Sequence, residues 1–238
     1  MKRHWGAIWL LATLLLANCG PMGSDRVVID VRQVSGFDRV SLSSIGTMVI
    51  TQGDREALEI EAQHYVTQRI LTTVQNGTLN IGFGGTFFGE AIPTKGITYR
   101  LTVKQLSAVS FSGAGSIRSE GLSADRLEIR AAGVGTVYIE NLEADELDVL
   151  LSGVGSVDVA GEVGDQEIIL SSVGEYRAGD LRSQSASVRL SGVGRSTLWV
   201  EDSLRVRISG LGSVEYYGQP TVASDITGLG RLVELGAK

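Results

Sequence analysis

At 238 residues, with 43% hydrophobic and 20% charged residues, the chain is long enough to bury a sizeable core, and 31 glycines against 3 prolines mark a β-rich profile with many tight turns. Its 21 basic and 27 acidic residues give a net charge of −6 and are mixed along the chain, so no basic stripe is available to neutralise nucleic-acid phosphates, and no nucleic-acid partner is expected. Cys19 is the only cysteine, which excludes an internal disulfide and a Cys-ligated zinc site.

Lys2 and Arg3 precede a nearly unbroken apolar run from Trp5 to Ala17, the pattern of a secretory signal over residues 1–18. The run is shorter than the roughly 20 residues that span a bilayer as a helix. Leu16-Ala17-Asn18-Cys19 resembles the bacterial lipobox, with Asn18 standing where that motif has Gly, Ala or Ser. The resemblance makes Cys19 the lipidation site and implies membrane attachment through a lipid anchor. Gly20 after the cysteine resembles outer-membrane sorting. The expected address is therefore the cell envelope, as an outer-membrane lipoprotein, with a periplasmic or secreted protein as the alternative.

Residues 19–35 are expected to form a linker and a first strand around Val27-Val31, and residues 36–106 an irregular β cap with the first coils. Strand candidates there are Val40-Leu42, Met48-Thr51 and Leu58-Glu61. Asn76-Gly77, between Ile70-Val74 and Thr78-Ile81, is a strong hairpin signal. A cap is needed because a bare solenoid end exposes unpaired strand edges. The segment from Gly82 to Lys95 is expected as a loop carrying Phe87 and Phe88, either as a small apolar contact patch or folded back on the core.

Residues 107–238 repeat one motif: Ser112-Gly-Ala-Gly, Ala132-Gly-Val-Gly, Ser152-Gly-Val-Gly, Ser171-Ser-Val-Gly, Ser191-Gly-Val-Gly, Ser209-Gly-Leu-Gly and Thr227-Gly-Leu-Gly. The first glycine position falls at Gly113, Gly133, Gly153, Ser172, Gly192, Gly210 and Gly228, a spacing of 18 to 20 residues. So short and regular a period signals a solenoid. Four residues before the first glycine stand Val109, Ile129, Val149, Ile168, Val188, Val206 and Ser224; two before it stand Phe111, Ala131, Leu151, Leu170, Leu190, Ile208 and Ile226. Polar residues lie mostly between them, the alternation of a strand with one buried face. A second strand follows the motif, as in Val137-Tyr138-Ile139, and a polar turn such as Glu143-Ala144-Asp145 or Leu181-Arg182-Ser183 closes the repeat.

One such unit is one coil of an all-β, parallel β-helix (β-solenoid) with about 18–20 residues per coil. Stacking at about 4.8 Å pairs each backbone with the coils above and below and buries the apolar columns. The glycines are expected to permit positive φ and close approach of successive corners, the residue between them to point inward, and the Ser/Thr column before them to form a hydroxyl ladder.

Phe37-Asp38-Arg39-Val40, Val49-Ile50-Thr51-Gln52-Gly53, Gly77-Thr78-Leu79-Asn80-Ile81 and the repeated Ser-Gly-x-Gly-Ser/Thr, in that order, resemble the head GIN domain family, named for autotransporter adhesins and without an established activity. The resemblance runs from about Phe37 to Gly230 and takes in Tyr216-Tyr217-Gly218-Gln219-Pro220. It implies a single-stranded right-handed β-helix, exported or lipid-anchored, and carries over no catalytic residue.

The chemistry-bearing residues are sparse. Of two histidines, His4 lies in the signal and His64 is expected at the surface or cap, so no histidine cluster can build a metal site or triad. The Gly-x-Gly pairs lack the third glycine or the Gly-Lys-Ser/Thr ending of nucleotide loops. Five residues before the first glycine, Glu128, Asp148 and Glu167 form one outward column over three coils. Two readings stand for it: a solvated face compensated by lateral basic residues, or a weak Ca²⁺ site, the sole cofactor to consider. Trp199, Tyr216 and Tyr217 gather toward the C-terminal coils, as a sugar-stacking or protein-contact surface or as residues partly buried at that end. The expected function is a non-enzymatic envelope adhesin or interaction module binding an envelope protein or glycan. The alternative is a carbohydrate-active β-helix enzyme, a polysaccharide lyase or hydrolase, built on the three carboxylates. Arg231-Leu232-Val233-Glu234-Leu235 leaves an exposed last edge through which a homo-oligomer could form end to end.

Overall fold

A computed structural model describes residues 26–84 and 93–238. The signal segment, Cys19, Phe87 and Phe88 lie outside the described residues. The chain runs through β1 (Val27–Arg32), β2 (Arg39–Ser43), β3 (Ile45–Gln52), β4 (Ala57–Gln63), the one-turn helix α1 (His64–Thr67), β5 (Ile70–Gln75), β6 (Thr78–Phe83) and β7 (Thr98–Val103). There follow β8 (Ala108–Phe111), β9 (Ala114–Ser119), β10 (Leu122–Ala131), β11 (Val134–Leu151), β12 (Val154–Leu170), β13 (Val173–Leu190), β14 (Val193–Ile208), β15 (Leu211–Tyr217), β16 (Thr221–Ile226) and β17 (Leu229–Gly236).

From β8 onward each coil pairs in parallel with the next, repeat position on repeat position: Gly115 with Gly135, Gly135 with Gly155, Ile129 with Val149. The result is the parallel β-solenoid that the repeat predicts. The inward column Val109, Ile129, Val149, Ile168, Val188 and Val206 is at most 2% exposed, and the column two residues on is likewise buried from Phe111 to Ile208. At about 25 cal/mol per Å² of apolar surface removed from water, these stacked columns are the main stabilising term, and each coil depends on its neighbours to complete them.

The expected polar turns do not form. β11 and β13 run unbroken through Glu143-Ala144-Asp145 and Leu181-Arg182-Ser183, bending at register irregularities between Ile139 and Leu142 and between Ala178 and Arg182. Leu142, Val163, Leu181 and Val200 are buried there, so each coil has a third β side with inward residues of its own, Leu142 and Leu181 in one column and Val163 and Val200 in the next.

Glycine orientation corrects a second expectation. Counting by twos from Val109 through Phe111 reaches Gly113, Gly115 and then the buried Ile117, so the glycines, and not the residue between them, hold the inward phase. At the corner that phase has no room for a side chain. A Cβ on Gly155 would lie 1.8 Å from the Gly135 carbonyl oxygen, and Gly155 sits at φ 147°. The middle residue therefore faces solvent.

Residues 36–106 hold a corner that escapes a search for glycine pairs. β2 and β3 pair in parallel with β8 and β9, placing Ser44 opposite Gly113 and Gly46 opposite Gly115. Ser43-Ser44-Ile45-Gly46 is thus an earlier copy of Ser171-Ser172-Val173-Gly174. On its other side β2 and β3 pair with β6 and β7, so the first coil in sequence is second in space. Outside it, β5 pairs antiparallel with β6 through the expected Asn76-Gly77 hairpin, where both residues have positive φ, and β4 pairs antiparallel with β7 and β1. These reversed strands cap the N-terminal end.

Two buried tyrosines carry polar contacts inside the stack. The Tyr99 hydroxyl lies 2.7 Å from Ser44 Oγ. Tyr176 Oη donates to Gln166 Oε1 at 2.8 Å, Gln166 Nε2 to Ser183 Oγ at 2.7 Å, and Ser183 Oγ to the Trp199 carbonyl at 2.8 Å, a satisfied chain linking three coils.

Candidate functional site: the glycine corner and the outward columns

Because the glycines take the inward phase, the residues between them build an outward apolar stripe. Val134, Val154, Val173, Val193, Leu211 and Leu229 are 60%, 53%, 57%, 49%, 47% and 85% exposed, and Ala114 precedes them. At about 4.8 Å per coil the stripe is roughly 29 Å long. Its flanks are backbone: Ala132 and Gly133 N–H groups both donate to the Phe111 carbonyl, at 2.8 and 3.0 Å, and the pattern recurs at Ser152-Gly153 and Ser191-Gly192. At the Ser172 corner the serine hydroxyl donates to the corresponding Leu151 carbonyl at 3.2 Å. The serine column also bonds backward to backbone, Ser191 Oγ donating to the Leu170 carbonyl at 3.5 Å. Hydroxyls meet instead one residue past the second glycine, where Ser116 and Thr47 are 3.3 Å apart and Ser156 and Thr136 3.4 Å.

Glu128, Asp148 and Glu167 do occupy successive register positions. Each holds an arginine: Arg130 Nη2 is 2.5 Å from Glu128, Arg126 Nη2 is 2.5 Å from Asp148, and Arg189 contacts Glu167. The hydrogen bond to Asp148 is the main cause of a raised Arg126 pKa, and the bond to Glu128 does the same for Arg130. Elsewhere Arg177 joins Asp158 at 2.9 Å and also contacts Glu175, and Arg182 bridges Glu162 and Glu201. The outward face is thus laced by ion pairs between coils. Among the described residues, no group of three or more His, Cys, Asp or Glu side chains is arranged to hold a metal ion. A polar groove of about 1210 Å³ runs along the third β side, lined by Lys104, Asp125, Arg126, Glu143, Asp145 and Glu162 among others.

The three aromatics separate. Tyr216 points into the core, where burial first and the Glu234 carboxylate second raise its hydroxyl pKa. Trp199 and Tyr217 are register neighbours on the outside. Lys238 Nζ lies over both rings, 5.4 and 5.2 Å from their centroids, and also contacts the Asp180 carboxylate and the Gly179 carbonyl. His64 is exposed at the start of α1, with Nε2 3.2 Å from Gln68 Nε2.

A family profile described as "Putative auto-transporter adhesin, head GIN domain" matches residues 36–220. The chain belongs to the head GIN domain family. A solved "putative adhesin" from Bacteroides fragilis is 26% identical, covers 90% of this head GIN chain and 99% of its own, and superposes with a TM-score of 0.84. A "putative adhesin" from Parabacteroides merdae, at 18% identity, 90% and 98% coverage and a TM-score of 0.67, shares the fold. So does a protein of Parabacteroides distasonis named a "putative lipid binding protein", at 19% identity, the same coverage and a TM-score of 0.69. No curated protein matches the chain. Among the described residues no helix is long and apolar enough to cross a membrane.

Sequence reasoning missed three features of this surface. The outward stripe was legible in the period-two count carried through the glycines. The Ser44 corner was legible by comparison with Ser172. The contact of Lys238 with Trp199 and Tyr217 had no sequence signal, because it depends on where the chain's last residues fall across the stack.

Proposed function

We propose that this head GIN protein is a non-enzymatic adhesive module of the cell envelope, exported and held by a lipid on Cys19, that docks an envelope protein along its glycine-corner stripe. The outward row from Ala114 to Leu229 carries the reading. Half-exposed aliphatic side chains in an unbroken line have no internal role, and an exposed apolar patch of this extent is the mark of an interaction surface. An aliphatic row flanked by backbone suits another protein's apolar side chains better than a sugar, which needs convergent polar groups. The family and the B. fragilis neighbour support adhesion as the role. Arginine pairing of Glu128, Asp148 and Glu167 speaks against a lyase or hydrolase site built on them.

The test is a Val154→Asp/Val173→Lys/Val193→Asp variant displayed on cells, with alternating charge because the three positions are register neighbours. Its unfolding temperature should stay near wild type, because none of the three side chains is in the core, while adhesion to the partner surface falls at least tenfold. Wild-type adhesion by the folded variant would sink the proposal. Fatty-acid-analogue labelling, lost in Cys19→Ala, tests the anchor, and polysaccharide turnover abolished by Glu128→Gln would favour the enzyme reading instead.

A further inference from the structure

Trp199, Tyr217, Asp180 and Gly179 come from three successive coils and converge on one point outside the solenoid. Trp199 and Tyr217 lie side by side in the parallel ladder. Gly179 lies against the Tyr217 ring, where a Cβ would be in ordinary van der Waals contact at 3.4 Å. Asp180 follows it on the same rim, exposed and anionic. Two π-faces, a carboxylate and a backbone carbonyl acceptor make a cradle with negative potential on every wall, the arrangement that aromatic cages use for organic cations. The ammonium of Lys238 sits in it.

We propose that this cradle is a binding site for a primary alkylammonium group supplied by a partner, and that Lys238 occupies it in cis until displaced. The two oxygen acceptors set the class. A primary ammonium has three N–H donors, enough to reach both the Gly179 carbonyl and the Asp180 carboxylate while its charge rests on the rings. A quaternary ammonium satisfies the rings alone, and a neutral sugar leaves the carboxylate without a counter-charge. A lysine side chain of a bound protein and a free amine present the same group. Because Lys238 is tethered, its effective concentration at the cradle is of millimolar order or higher, and it competes with any outside amine. The site is separate from the corner stripe, so the inference does not depend on the adhesive reading.

The experiment uses the full chain in a polyoxyethylene detergent and follows the Trp199 indole N–H resonance during titration at constant ionic strength. The probes are n-butylammonium, Nα-acetyl-lysine amide and tetramethylammonium. Lys238→Ala should bind the first two saturably, with a dissociation constant of roughly millimolar order. Wild type should bind them at least about twofold more weakly, since a tethered competitor at millimolar effective concentration meets a constant of the same order, and Lys238→Ala/Trp199→Ala, followed through Tyr217 ring signals, should not bind. Resonances of the distant Tyr99 and Ile129 confirm that each variant is folded. No saturation of Lys238→Ala by either primary amine at 100-fold the expected constant, about 0.1 M, would overturn the proposal. Equal affinity of wild type and Lys238→Ala would overturn the role of Lys238, and tetramethylammonium binding as well as n-butylammonium would overturn recognition by Gly179 and Asp180.

Discussion

Gly155 and Ser172 sit at homologous bends yet differ in what they tolerate. At Gly155 the φ of 147° and a Cβ position 1.8 Å from the Gly135 carbonyl oxygen leave no relaxation short of separating two coils. Gly155→Ala should lower the unfolding free energy by at least about 3 kcal/mol, read as a reduced urea midpoint. Ser172, at the first corner position, has a side chain that itself bonds the preceding coil, so Ser172→Gly should change stability by about 1 kcal/mol or less. Tyr99 gives a pH signature. Burial raises its pKa to about 12, with the Ser44 hydrogen bond a smaller opposing effect. In the unfolded chain the phenol ionises near pH 10. Between pH 10 and 12 the unfolded chain has therefore lost a proton that the folded chain keeps, and stability falls as pH rises, by up to about 3 kcal/mol from this group. Burial raises the Tyr176 pKa as well and acts in the same direction. Urea midpoints at pH 9.5 and 11.5 should differ less in Tyr99→Phe than in wild type.

Among the elements, β16 and β17 form the last coil described. They pair with β14 and β15 on one side only, and Ile226, Leu229 and Leu235 are exposed. Such an edge invites another coil. Two inward columns turn polar there: Ser224 follows Val206, and Glu234 follows Tyr216. A further coil would bury that carboxylate against its own core, which is strongly unfavourable without a partner charge. Ser224→Val/Glu234→Leu should therefore self-associate end to end at concentrations where the wild type sediments as a monomer. Equal sedimentation of the two proteins would show that these residues do not guard the end.

Across the whole molecule, the order of coils in space governs cooperativity. Because β2 and β3 lie between β6–β7 and β8–β9, the cap cannot open without disturbing an internal coil, whereas the last coil has one neighbour. Leu42→Ala should cost about 2–5 kcal/mol and speed amide exchange in the cap and first coils together. Val206→Ala should confine faster exchange to β14 through β17. Matching exchange patterns from the two variants would contradict nearest-neighbour behaviour.

What the sequence determined by itself was everything carried by period and parity: the parallel stack, the inward columns at Val109 to Val206, the Asn76-Gly77 hairpin, and the successive placement of Glu128, Asp148 and Glu167. Stacking with a constant offset turns sequence spacing directly into neighbourhood, so a repeat of this kind shows its own contacts. The tertiary structure alone decided the rest. Whether the third side was turn or strand depended on Leu142 and Leu181 finding a common core. The interleaving of β2–β3 between β6–β7 and β8–β9 depended on which open edge the later strands took. The placing of Lys238 over Trp199 and Tyr217 brought a residue outside the repeat's register onto two within it, and for such a residue spacing carries no information about distance.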